Sequence, residues 1–164
     1  MIEKTYPITE KLLDKGLTLS HKLFELLSQE SQNLQSRSAL QSLPILANSK
    51  KETVAQLEQF SNQLSQVMAT EQLTLSPADI QKYFQIAHSA GLPVADGVKH
   101  WRQITEMGKK CQRLNEQNGA SIDLLMRHNH RSLQILTGKS QLPATYGPDG
   151  STRTERFSQS LVSV

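Results

Sequence analysis

The sequence has no proline between Pro93 and Pro143, and within this stretch apolar and small residues recur every three or four positions. That spacing places them on one face of an α-helix. We therefore predict one long helix over about residues 96–137, ended by Gly138 at its C-terminus. The predicted face consists of Ile104, Gly108, Cys111, Asn115, Asn118, Ile122, Leu125, Asn129, Leu133 and Leu136. A buried asparagine on such a line usually sets the register of a facing helix or accepts a hydrogen bond from it, at some cost in stability.

Three further helices are predicted upstream. The first begins near Thr9, a good N-cap, and carries leucines on two adjacent stripes. The second begins at Ser42 or Leu43, and its apolar seam predicts that it pairs with the first in antiparallel fashion. The third is short, because the Ser76-Pro77-Ala78-Asp79 segment is a strong helix start and Gly91-Leu92-Pro93 is a stop.

The composition agrees with an all-α fold. Aromatic residues make up 5% of the chain, and the β-branched and aromatic residues that favour strands are scarce. We predict an elongated antiparallel helical bundle or coiled coil, with about three long helices, one short helix and a flexible C-terminal tail. Residues 1–138 form the helical domain. Residues 139–164 are rich in Ser, Thr, Gly and Pro and form the tail.

No catalytic or metal site is predicted. His128 and His130 are two positions apart, so a helix directs them away from each other and they cannot chelate one ion. Cys111 has no identifiable activating base and, as the one cysteine, forms no intrachain disulfide. There is no phosphate-binding glycine loop, no apolar run long enough to span a membrane and no apolar signal core. We therefore expect a cytoplasmic protein that is not an enzyme and needs no cofactor.

Two binding functions remain. Residues 97–137 contain seven basic and three acidic residues, a net charge of +4, which could contact a nucleic-acid backbone. No aromatic residues interleave with these charges to stack bases. The other hypothesis is binding of a partner helix, because the apolar positions of 114–137 exceed what one narrow seam needs. Such exposed stripes would also permit self-association.

Three motifs in the last third of the chain resemble the FlgN family of flagellar export chaperones. They are the Leu114-Asn115-Glu116-Gln117-Asn118-Gly119-Ala120-Ser121-Ile122 stretch, the Leu133-Gln134-Ile135-Leu136-Thr137-Gly138 helix end and the Tyr146-Gly147-Pro148-Asp149-Gly150 turn. The resemblance implies a cytoplasmic chaperone that binds the terminal helices of the hook–filament junction proteins FlgK and FlgL. It also implies delivery of this cargo to the type III export apparatus.

The resemblance also implies where the partners bind. The family binds cargo through its C-terminal amphipathic region, and it contacts the export gate protein FlhA through a tyrosine after that helix. Here that tyrosine is Tyr146, with Gly147 beside it. The expected cargo-binding residues are Leu114, Asn118, Gly119, Ile122, Leu125, Asn129, Leu133 and Leu136. The alternative is a helical coiled-coil adaptor, or a nucleic-acid-binding protein that acts through its basic last helix.

Overall fold

The structure is a computed structural model that describes residues 1–36, 41–136, 145–146 and 152–153, with side chains described up to residue 132 except at 128 and 129. The all-α prediction is confirmed. The elements are α1 (Ile2–Gln35), α2 (Leu43–Thr70), α3 (Pro77–Ser89), α4 (Ala95–Leu136), β1 (Thr145–Tyr146) and β2 (Thr152–Arg153).

The chain divides into two units, and the division falls inside α4. The first unit is Met1–Ser121 and the second unit is Ile122–Val164. The first unit contains α1, α2, α3 and the start of α4. The second unit contains the rest of α4 and a short antiparallel ladder, in which Tyr146 of β1 pairs with Thr152 of β2.

Helix α1 begins seven residues earlier than Thr9, so this predicted start is wrong. Ile2 and Tyr6 are buried in the core, and the Tyr6 hydroxyl donates a hydrogen bond to the Pro93 carbonyl at 3.0 Å. This packing stabilises a helical turn that contains Pro7, although proline removes one backbone donor. The buried Thr9 hydroxyl lies 2.8 Å from the Tyr83 hydroxyl instead of capping a helix.

Helices α1 and α2 form the predicted antiparallel pair. The Thr5 hydroxyl donates to Glu71 at 2.7 Å near one end, and Lys50 donates to Glu30 at 2.9 Å near the other. Between these contacts, a methyl group at Gly16 would lie 2.6 Å from the Phe60 ring. Glycine at this position therefore permits the two helices to pack closely, which offsets its cost of about 1 kcal/mol in helix propensity.

Helix α3 has the predicted cap at each end. At its start the Ser76 hydroxyl accepts a hydrogen bond from the Asp79 backbone N–H at 3.2 Å. At its end Gly91 adopts φ of 79°, and the Leu92 N–H donates to the Ala87 carbonyl at 3.1 Å. This is the Schellman arrangement, in which glycine supplies the left-handed residue that terminates the helix.

The core of the first unit lies where α3 packs against α1 and α2. Tyr6 and Tyr83 stack with ring centroids 6.4 Å apart, and Phe84 meets Tyr83 edge to face at 6.0 Å. Buried aliphatic side chains surround these rings, as is usual for aromatic pairs in protein cores. They are Ile2, Leu13, Leu64, Met68, Leu73 and Ile80.

Candidate functional site

In the first unit, α4 lies along α1 and runs in the same direction. The Cys111 thiol approaches the Ser20 carbonyl at 3.9 Å, and the Asn118 amide donates to the Leu27 carbonyl at 2.9 Å. Ser20 and Leu27 are seven residues apart on α1, and Cys111 and Asn118 are seven residues apart on α4, so both pairs have the same separation of 91 residues. The two helices therefore keep one heptad register over this contact, as parallel helices of a coiled coil do.

A buried polar cluster joins three helices at one end of this contact. Glu30 of α1 is 4% exposed and accepts hydrogen bonds from Lys50 of α2 at 2.9 and 3.1 Å. Its second oxygen also accepts from the Asn118 amide of α4 at 2.9 Å. The cluster satisfies a charge that would otherwise be costly to bury, and it fixes where α4 sits along α1.

The predicted cargo-binding residues of the first unit lie in three different environments. Leu114 is half-buried. Asn118 is 2% exposed, and its amide is bonded within the unit to Leu27 and Glu30. Gly119 is exposed, and a methyl group there would meet nothing within 4 Å. Asn118 is therefore bonded to α1 within the first unit, and it is not available at the surface.

In the second unit, α4 presents apolar side chains to solvent. Ile122 and Leu125 are half-buried, while Leu124 and Met126 are each 65% exposed. Met126 lies one turn after Ile122 and shares its stripe with Leu125. Met126 was not among the residues predicted from the sequence, although its spacing of four from Ile122 is the signal that could have identified it.

The remaining predicted residues are described only in part. Asn129, Leu133 and Leu136 lie within the helical backbone of α4, and their side chains are outside the described residues. Tyr146 lies in β1 opposite Thr152, whereas Gly147 and the rest of the predicted turn are outside the described residues.

Cys111 is a buried free thiol on α4. Burial raises the pKa of the Cys111 thiol, so the sulfur stays protonated and weakly nucleophilic at neutral pH. No three His, Cys, Asp or Glu side chains in the described part of the chain are placed to hold a metal ion. Over the same residues, no helix is both long and apolar enough to cross a bilayer.

Glu30, which accepts a hydrogen bond from Asn118, was not predicted from the sequence either. Glu30 follows the buried Leu27 by three positions and therefore lies on the buried stripe of α1. A carboxylate on an apolar stripe is a signal for a buried polar partner. The combination of that signal with the asparagine on α4 would have predicted the contact.

The chain matches the model of a known protein family over most of its length. The family model described as FlgN protein matches residues 3–154 of this chain. No curated protein and no solved structure matches the chain.

Proposed function

The chain belongs to the FlgN family of flagellar export chaperones, and from this premise we propose that it is a cytoplasmic chaperone of the hook–filament junction proteins FlgK and FlgL. It binds their terminal helices, prevents premature association and delivers them to the export gate protein FlhA. The work is holding and release, without chemistry on the cargo.

The observation that carries this proposal is an apolar stripe of α4 in the second unit that is only partly covered. Met126 is 65% exposed, and it shares a face with the half-buried Ile122 and Leu125. An apolar stripe that is left partly exposed on a helix indicates a surface for a partner protein. We propose that the cargo face comprises Ile122, Leu125, Met126, Asn129, Leu133 and Leu136.

The energetics suit a chaperone that must release its cargo. An amphipathic cargo helix laid along this stripe would bind in the helix-in-groove mode. Burial of about 1,000 Å² of apolar surface gives roughly 25 kcal/mol in gross free energy. Ordering and association offset most of this gain, which leaves an expected dissociation constant in the micromolar to nanomolar range.

The test of the cargo face is isothermal titration with a C-terminal helical peptide of a hook–filament junction protein. We expect Leu125→Glu combined with Leu133→Glu to abolish binding while far-ultraviolet circular dichroism stays unchanged. The matched control is Gln117→Glu with Ala120→Glu, which adds the same charge at two exposed positions on the other side of α4. Unchanged affinity in the first double variant would place the cargo site elsewhere.

The same titration at 50 and 200 mM salt distinguishes cargo binding from the alternative function, nucleic-acid binding. Apolar groove binding changes little with salt and shows a negative heat-capacity change. Contacts between phosphates and the basic residues of α4 would lose affinity steeply over this range. No heat with the junction peptide, together with salt-sensitive binding to DNA, would favour the nucleic-acid-binding alternative.

We further propose that Tyr146, with Gly147, contacts the export gate. Tyrosine offers a large anchor at low cost in side-chain entropy, which suits a recognition residue that lies outside the helices. We expect Tyr146→Ala to lose binding to the cytoplasmic part of FlhA in a pull-down while cargo affinity is kept. Tyr146→Phe is the control that keeps the ring. A joint loss of both bindings in Tyr146→Ala would show that the two sites are not separate.

A further inference from the structure

A groove of about 780 Å³ lies between α3 and α4 in the first unit. Its floor is apolar, with the buried Ile80 and Phe84 from α3 and the half-buried Trp101 from α4. Tryptophan and arginine are the residues most enriched at the energetic centres of protein interfaces. The groove shares no residue with the cargo face, so its function is a separate question.

The two rims of the groove differ in charge. The α3 rim carries Gln81, Gln85 and His88. The α4 rim carries Arg102, Glu106 and Lys109, which alternate positive, negative and positive along one exposed edge of the helix. Within the described residues, Arg102 and Lys109 take part in no ion pair. Their charges are therefore free to select a partner.

We propose that this groove binds an amphipathic helix of a partner protein that carries acidic, basic and acidic residues at positions i, i+4 and i+7 beside its apolar face. Both walls of the groove are helices, and a third helix packs against such a pair by helix-in-groove binding. Arg102 and Lys109 are seven residues apart, about 10 Å along the axis. Carboxylates seven residues apart on the partner match this distance, and the basic residue between them faces Glu106.

Trp101 provides a direct measurement, because it is the single tryptophan of the chain. Two tryptophan-free helical peptides serve as probes, matched in length and apolar face, and with the charge difference between their triplets balanced on the opposite face so that their net charges are equal. One carries Glu, Lys and Glu at i, i+4 and i+7, and the other carries Lys, Glu and Lys at the same positions. We expect the first peptide to shift the Trp101 emission saturably and to bind about tenfold more tightly than the second.

Charge reversal tests whether the α4 rim causes this preference. Arg102→Glu with Lys109→Glu changes two exposed side chains, so the fold is retained, and we expect the preference between the peptides to reverse. The control, Lys99→Glu with Lys110→Glu, makes the same change at exposed positions of α4 that do not line the groove, and it keeps the original preference.

Four results would overturn the proposal. The first two are a Trp101 emission that neither peptide changes and an equal affinity for both peptides. The third is a control variant that changes the preference between the peptides as much as the charge reversal does. The fourth is a Trp101 emission that shifts with protein concentration alone. The last result would identify a second copy of the chain as the occupant. None of these results bears on the cargo titration, which probes the second unit.

Discussion

One helix, α4, has an amphipathic pattern throughout, but the rest of the chain buries its two halves to different extents. In residues 95–121, Cys111 and Asn118 are buried against α1. In residues 122–132, none of the described side chains is buried, and Leu124 and Met126 are largely exposed. The comparison shows that periodicity determines which face of a helix is apolar but not whether the same chain covers that face. Variants in each part of α4 test this difference.

The largest effect is expected in the covered half, at the buried cluster. Glu30→Ala removes the acceptor shared by Lys50 and Asn118 and leaves their donors poorly satisfied. We expect the free energy of unfolding in urea to fall by about 3 kcal/mol. The control is Glu116→Ala, whose exposed carboxylate bonds only to Gln112 among described residues, with an expected loss of no more than about 0.5 kcal/mol. Equal losses would show that the cluster does not hold α4 on α1.

Thiol reactivity compares the two halves directly. Cys111 is 5% exposed and burial raises its pKa, so both access and the thiolate fraction are low. We expect iodoacetamide to modify it roughly a hundredfold more slowly than a cysteine at Met126→Cys in a Cys111→Ala background. The rates are measured by mass spectrometry at pH 8. Similar rates in the folded proteins would mean that α4 is no better covered at Cys111 than at Met126.

Two glycines of α4 are expected to respond in opposite directions to alanine. A methyl group at Gly97 would lie 2.8 Å from the Tyr6 hydroxyl and 3.0 Å from the Phe84 ring. Gly97→Ala should therefore lower the free energy of unfolding by about 1–2 kcal/mol despite its better helix propensity. A methyl group at Gly119 would contact nothing within 4 Å, so Gly119→Ala should raise the free energy of unfolding by about 1 kcal/mol. Thermal denaturation of the two variants checks the signs, and a loss in both would indicate an unseen contact at Gly119.

The smallest effect on stability is expected in the uncovered half. Leu124→Gln with Met126→Gln exchanges two exposed apolar side chains for polar ones. The free energy of unfolding should change by less than about 0.5 kcal/mol, because neither side chain is buried in the free protein. The same variant should bind the junction peptide more weakly, since Met126 lies on the proposed cargo face. A marked loss of stability would show that the chain itself covers these residues.

Local signals in the sequence were sufficient for part of this structure. The caps of α3 and the end of that helix at Gly91 depend on neighbouring residues, so they could be predicted correctly. The start of α1 depends on Pro93 and Tyr83, which are distant in sequence, so the local signal at Thr9 was misleading.

The candidate site was predictable to a similar degree. The spacing of Ile122 and Leu125 identified an apolar face, and Asn118 was identified as a seam residue. The bonding of Asn118 to Glu30 required knowledge of which helix faces α4. An apolar stripe and a buried asparagine look alike in a periodic pattern until their partners are known, so the pattern alone could not show that Asn118 faces α1.

The 91-residue separation between the paired positions of α1 and α4 has a consequence for the order of assembly. The α1–α2 contacts can all form once Glu71 has left the ribosome. The hydrogen bond between Glu30 and Asn118 can form only after Asn118 has been synthesised, 88 residues later. Contacts of long sequence separation form late, because the intervening chain must first be ordered. We therefore expect the nascent chain to form the α1–α2 hairpin first, with Glu30 held by Lys50 alone, and to add α4 last.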